Sequence, residues 1–212
     1  MEIAARINQT KYDAFRWRCE ISIPKKMALA IGMAILVGLM AQVKLFLPWS
    51  PVPVTGQTFA VLLSGILLGR WWGGVSIAAY AGLGMLGVPW FAGLSGGLGY
   101  LAGPTGGYIV GFILAAFFMG HFTDKYVKSR SFLSMLGLML FANFILIYVP
   151  GLLQLGLWIN LVKGDTVSLT SLLMIGAVPF IAGDVVKAFL AAIVARGVTP
   201  KIAYNNEVDR DK

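Results

Sequence analysis

A chain of 212 residues that is 58% hydrophobic and only 12% charged lacks the polar surface of a water-soluble domain, in which about a quarter of the residues carry charge. At roughly 20 apolar residues per bilayer crossing, its length accommodates about six spans with short loops and leaves no room for a separate soluble domain. One cysteine, Cys19, and one histidine, His121, exclude a disulfide within the chain and a thiolate metal cluster built by one chain, and the net charge of +8 points to nucleic acid only if the charges lie together outside the membrane edges.

Residues 1–26 are polar and contain Arg6, Lys11, Arg16, Arg18, Lys25 and Lys26. They lack the short apolar run of a cleaved leader and are expected to form an N-terminal segment outside the bilayer. The first span is expected over 27–47. Pro48, Pro51 and Pro53 close it, since proline cannot continue a helix, and Trp49 suits the interfacial belt. A second, short span over 54–68 opens on Thr55, Gln57 and Thr58. A tight turn at Arg70-Trp71-Trp72-Gly73 leads into a third over 74–88. The uncharged, glycine-dense stretch from Pro89 to Pro104 reads as an irregular connection. Spans four, five and six are expected over 105–122, 132–155 and 169–195, with a basic turn over 124–130 and a polar connection over 158–168. The membrane domain thus covers 27–195, and a polar tail covers 196–212.

Lys and Arg are retained on the cytoplasmic side during insertion. With six spans, fourteen of the seventeen basic residues fall on one face: the six N-terminal ones, Arg70, Lys125, Lys128, Arg130, Arg196, Lys201, Arg210 and Lys212. Lys44 and Lys163 fall on the other, and Lys187 lies within span six. Both termini are therefore expected in the cytoplasm. This distribution accounts for the net charge without nucleic acid.

An ionisable residue within hydrocarbon costs at least about 2.5 kcal/mol on insertion scales, so one that is present faces a cavity or a partner. Asp184 and Lys187 stand three apart on one helical face, with Pro179 and Gly183 just before them expected to bend the helix. They read either as a self-neutralising pair or as a site offering an acceptor and a cationic donor to a ligand group with N–H and C=O. Asn143 is a candidate third member, or else a helix-to-helix hydrogen bond. The run Gly-Pro-Thr-Gly-Gly-Tyr at 103–108, preceded by Gly93, Gly96, Gly97 and Gly99, permits close backbone approach. It can form a lid over a pocket or a plain external loop, although the latter leaves Trp90 and Phe91 poorly explained. Ala30, Ala34 and Gly38 form a small-residue face suited to packing within the bundle or to docking on a partner. No phosphate loop, metal set or nucleophile elbow is present, so the chain is not expected to be an enzyme or to drive transport with ATP by itself.

The segments Pro-Val-Pro-Val-Thr-Gly-Gln-Thr-Phe at 51–59, Phe-Ala-Gly-Leu-Ser-Gly-Gly at 91–97, Gly-Pro-Thr-Gly-Gly-Tyr at 103–108 and Gly-Asp-Val-Val-Lys at 183–187 resemble the BioY family over roughly residues 27–195. BioY proteins are the biotin-binding S components of energy-coupling factor (ECF) vitamin transporters. The resemblance implies an all-α, six-transmembrane-helix bundle of the S-component type in a prokaryotic plasma membrane. It also implies biotin as transported ligand, no cofactor, and association with a T-type membrane subunit and two cytoplasmic ATPases. Asp184 and Lys187 match the family's Asp-x-x-Lys pair, which implies hydrogen bonds to the ureido ring of biotin. Ser95, before Gly96 and Gly97, stands where some relatives carry a ligand-contacting asparagine and has a shorter reach. Phe91, Gln57, Thr58 and Tyr108 fall in matching blocks and are expected in the pocket. The Ala30–Ala34 spacing looks like the Ala-x-x-x-Ala face by which S components meet the T subunit. An S component for another vitamin and a membrane-embedded enzyme are the alternatives; the missing catalytic set weighs against the second.

Overall fold

The computed structural model describes residues 2–204 and 207–209; Arg210 and Lys212 of the charge distribution lie outside the described residues, as do 205, 206 and 211 of the tail. Among the described residues, five helices are long and apolar enough to cross a membrane: Ile23–Gln42 (α2), Gln57–Met85 (α3), Gly106–Lys125 (α5), Phe132–Lys163 and Val178–Val198 (α9). Their packing suits lipid rather than water. Alanines at 34, 115, 116, 188, 191, 192 and 195 are fully buried between helices, whereas Leu39, Leu153, Leu157 and Val186 are more than half exposed on the outside. Small residues let backbones approach, and large apolar side chains face a solvent as apolar as themselves.

The 29-residue α3 is folded on itself. Gly69 takes φ 80° and ψ 175°, and a Cβ added to Gly73 would lie 2.6 Å from the Cα of Gly65. Residues eight apart on a straight helix are separated by about 12 Å, so the two arms run back along one another. A Cβ on Gly120 of α5 would meet the Arg70 Cα at 2.5 Å, and one on Gly65 the Gly120 nitrogen at 2.7 Å. Three glycines thus form the crossing around this fold. Asp124 closes it by accepting from the Arg70 backbone N–H at 2.7 Å and from Arg18 Nη2 at 2.5 Å, which places an anion at a helix N-terminus. The turn expected at 70–73 begins one residue earlier, at the only residue type that adopts this φ without strain.

Several boundaries differ from the sequence reading. Residues Glu2–Glu20 form a helix of their own, α1. The first span begins at Ile23, with Pro24 in its first turn, and ends at Gln42 rather than 47. Lys44–Leu45 then pairs antiparallel with Val54–Thr55, an extended hairpin that tolerates the three prolines. The glycine-dense connection contains one helical turn, Leu98–Leu101 (α4). The expected connection over 158–168 is helical to Lys163: the helix of Phe132–Phe141 (α6) continues through a π-helical stretch, Ala142–Ile147, into Tyr148–Trp158 (α7) and a final π-helical turn. Span six is two helices, Leu169–Gly176 (α8) and Val178–Val198, broken at Ala177. The break lies before Pro179, and no break occurs at Gly183.

The basic segments gather at one end. Lys11 Nζ donates to the Arg196 carbonyl at 2.9 Å, Arg18 reaches Asp124, and Arg130 Nη2 donates to Glu207 at 2.8 Å with both side chains buried. The hairpin of 44–55 and the connection of 86–104 lie at the other end.

The small face of α2 is covered by the chain itself. Ala30 is 2% and Ala34 0% exposed, Gly38 is buried, and a Cβ on Gly38 would lie 3.0 Å from the Trp90 Cβ. The face packs within the chain's own bundle, one of the two roles its spacing allows. The spacing carries no information on which of the two neighbours it serves.

Candidate functional site

A cavity opens where the start of α3, the second arm of α3, α4, α5, α7 and α9 converge. Its apolar walls include Ile109, Phe112, Ile147 and Phe180, and its polar rim includes Thr55, Gln57, Thr58, Tyr80, Tyr100, Thr105, Tyr108, Tyr148, Asp184 and Lys187.

Asp184 is the hub. It is 4% exposed, and each carboxylate oxygen accepts two hydrogen bonds. Oδ1 accepts from Thr58 Oγ1 at 3.0 Å and Lys187 Nζ at 2.5 Å, while Oδ2 accepts from Asn143 Nδ2 at 3.0 Å and the Tyr148 hydroxyl at 2.6 Å. Four donors from α3, α9 and the fifth span offset the cost of burying the anion. Lys187 Nζ also donates to the Thr55 carbonyl at 2.8 Å, so the ammonium uses two of its three donors.

Local structure explains how these groups meet. Asn143 and Tyr148 are five apart, and on a regular α-helix that spacing puts them about 140° from each other. The π-helical stretch between them, with its i→i+5 pattern, turns both toward the same oxygen of Asp184. At the broken sixth span, the Pro179 ring excludes the usual bond to the carbonyl four residues earlier. That Ile175 carbonyl instead accepts from Ser50 Oγ at 2.7 Å, and the adjacent Gly176 carbonyl accepts from the Tyr108 hydroxyl at 2.7 Å. The break therefore anchors two wall elements.

Two groups retain unused capacity. Asn143 Oδ1 is buried without a hydrogen-bond partner, an acceptor left over because the amide nitrogen faces Asp184. The third Lys187 donor is the complementary group. Gln57 is tied down on both sides, accepting from Thr55 Oγ1 at 3.0 Å and donating to the Tyr80 hydroxyl at 2.8 Å. Burial pushes the Tyr100 phenol above its ordinary range, so this wall residue is neutral.

Of the residues expected from sequence, Asp184, Lys187, Gln57, Thr58 and Tyr108 line the cavity, and Asn143 stands directly behind it. Phe91, Ser95, Gly96 and Gly97 are not brought to its wall. Phe91 is fully buried and stacks on Tyr100 at 4.9 Å between ring centroids, with an edge contact to Tyr80 at 5.3 Å, so it supports two wall residues from behind. Ser95 bridges to Phe91 through the backbone. Gly97, at φ 93°, donates its N–H to the Gly84 carbonyl at 2.7 Å, and a Cβ on Gly96 would lie 2.7 Å from the Val88 carbonyl oxygen. These residues fold the loop that carries Tyr100. Tyr148, Tyr80, Tyr100 and Thr105 were not singled out by sequence, and for Tyr148 the misleading signal was the α-helical spacing itself.

Residues 9–204 match the model of the BioY family, which extends the likeness beyond 27–195 into α1 and the tail. The chain is 51% identical over 150 residues to the probable biotin transporter BioY of Methanothermobacter thermautotrophicus, covering 71% of this chain and 96% of that one. It is 37% identical over 149 residues to the biotin transporter BioY of Thermotoga maritima, covering 70% and 82%. Among solved structures it is similar to the S-component for biotin from an ECF-type ABC transporter, with a TM-score of 0.72 and 25% identity over 83% of this chain and 93% of that one.

Proposed function

The chain belongs to the BioY family, and from that premise we propose that it is the biotin-binding membrane subunit of an ECF-type vitamin transporter, and not an enzyme. The observation that carries this reading is the buried Asp184–Lys187 pair in a cavity wall, with an unpaired acceptor on Asn143 beside it. A ureido ring presents one carbonyl and two N–H groups. In the proposed complex its carbonyl accepts from the spare Lys187 donor, and its N–H groups donate to Asp184, whose neutral donors Thr58 and Tyr148 can yield a lone pair and which Asn143 supports from behind. Ile109, Phe112, Ile147 and Phe180 would surround the apolar parts of the ligand.

Ligand entry is proposed from the end that carries the 44–55 hairpin and Tyr100, opposite the basic end, which by its charge is the cytoplasmic side. Both termini would then be cytoplasmic. Release inward would use a T-type membrane subunit and two cytoplasmic ATPases, since the sequence holds no phosphate loop of its own.

The test is mass spectrometry of the small molecule released when the purified full chain is denatured. Biotin is expected from wild type and not from Asp184→Asn. A different small molecule in stoichiometric amount, or equal biotin from both proteins, would overturn the assignment.

A further inference from the structure

At the basic end, a groove runs between α1 and the last turn of α9. Ile7, Thr10 and Ala14 of α1 face Gly197 and Val198 of α9, and Arg6 and Lys11 stand at the rim. Three features set it apart from an ordinary packing defect. First, Ile7, Thr10 and Ala14 with Trp17 are spaced 3, 4 and 3 apart and so form one stripe of α1. Ile7 is 50% and Trp17 54% exposed, while the helix packs inward through Phe15, which is 6% exposed. Secondly, the groove is continuous with the outward apolar face of α9, where Phe189, Ile193, Val194 and Val198 are 38 to 48% exposed. Thirdly, its rim is cationic. Lys11 donates to the Arg196 carbonyl, which brings Lys11 to the last turn of α9 beside exposed Arg196. Among the described residues, none of the four ion pairs uses Arg6, Lys11 or Arg196.

An apolar groove that meets the outward face of a membrane-spanning helix and is rimmed by cations fits a molecule with acyl chains and an anionic head. Basic pockets between helix ends on the cytoplasmic side have this character, and each Lys or Arg near the surface contributes attraction to anionic headgroups. We propose that this groove binds an anionic diacyl phospholipid, with its phosphate at Arg6, Lys11 and Arg196 and an acyl chain between Ile7, Ala14 and Val198. The lipid would hold α1 against the membrane surface and complete the seam between α1 and α9. The inference goes beyond ligand capture and rests only on the chain being embedded in a bilayer.

The experiment uses the full chain in neutral detergent, incubated with phosphatidylglycerol or phosphatidylcholine and analysed by native mass spectrometry for retained lipid. Wild type is expected to retain one phosphatidylglycerol in preference to phosphatidylcholine. Arg6→Gln should weaken retention roughly fivefold, and Arg6→Gln with Lys11→Gln roughly 25-fold. Ala14→Trp, which fills the groove and changes no charge, should abolish retention. Lys25→Gln with Lys201→Gln removes as much charge from the same end but outside the groove, and should have little effect. Unchanged biotin affinity in every variant checks that the fold is intact. Equal retention of the two lipids, or loss with Lys25→Gln and Lys201→Gln to the same extent, would reduce the effect to general surface charge and overturn the site. So would retention by Ala14→Trp, or loss by that variant of association with protein subunits while the lipid stays bound.

Discussion

Replacing Asp184 by asparagine perturbs the site where its energetics are most concentrated. The carboxylate accepts four hydrogen bonds, two on each oxygen. An asparagine amide nitrogen pointed at Thr58 and Lys187 would set a donor against an ammonium, so the oxygen stays on that side and the nitrogen faces Asn143 and Tyr148. Both neighbours can adapt: Asn143 by turning its unpartnered Oδ1 inward, and Tyr148 by rotating its hydroxyl. The lost charge is not recovered. Lys187, 18% exposed in its side chain, is left as a largely buried cation facing only neutral acceptors, the new amide oxygen and the Thr55 carbonyl. Removing one partner of a buried pair costs about 3–5 kcal/mol, and the residual exposure of Lys187 places Asp184→Asn near the low end, about 3 kcal/mol. Lys187→Met strands the anion instead, still held by three neutral donors, and should cost somewhat less. The double variant strands neither charge, and replacing both members of such a pair is often near neutral. Unfolding free energies from SDS titration in mixed micelles, read by far-UV circular dichroism, should therefore show a double variant far cheaper than the sum of the two singles, with a coupling of about 5 kcal/mol if the double is neutral, above the usual range for residues in contact. If the two single costs simply add to within about 0.5 kcal/mol, the pair is not energetically linked and the hub description is wrong.

Tyr148→Phe removes a 2.6 Å bond to the carboxylate and should destabilise the chain by about 1.5–3 kcal/mol, the range for hydrogen bonds to charged groups, in the same titration. Gly69→Ala places a Cβ at φ 80° and 2.8 Å from Asp124 Oδ2; a cost of about 1–2 kcal/mol from the left-handed backbone alone should lower the melting temperature in detergent, more than Gly82→Ala, where the added Cβ meets open space. The Glu20 carboxyl is held below its ordinary range by the hydrogen bond from the Tyr204 hydroxyl and then by that from Arg16. Since the folded pKa is the lower one, this tie between α1 and the tail is present above the unfolded value near 4.5 and is lost as pH falls through the folded value. Hydrogen-exchange protection of α1, corrected for intrinsic rates, should drop over that interval in wild type and not in Glu20→Gln.

The lipid-facing character of the bundle, the one-sided charge and the Asp184–Lys187 contact were legible because each rests on composition or on i, i+3 geometry. Helix ends in the apolar regions were less so. Hydropathy gives no reason for the fifth span to continue to Lys163, where Gly164 at φ 73° stops it, and the helicity of α1 depends on a seat for Phe15 that only the folded end provides: its ring lies under the guanidiniums of Arg18 and Arg130, at 4.0 and 4.4 Å from its centroid. Tyr148 was hidden by a π-helical stretch that changes which residues share a face. The orientation of Ala30 and Ala34 was hidden because small residues serve inner and outer helix contacts alike. Arg130, counted as one more surface cation, is in fact 2% exposed; its partner Glu207 is 77 residues away, a distance at which no local pattern operates.

The most direct test of the central claim is calorimetric titration of the purified full chain with biotin, desthiobiotin and an analogue of equal length without the ureido ring. Saturable binding of the first two and loss of the third by a factor of about 10⁴, as for a site built to hydrogen-bond a buried polar group, is the expected result. Comparable affinity for the ring-less analogue, or for biotin in Asp184→Asn, would contradict the account.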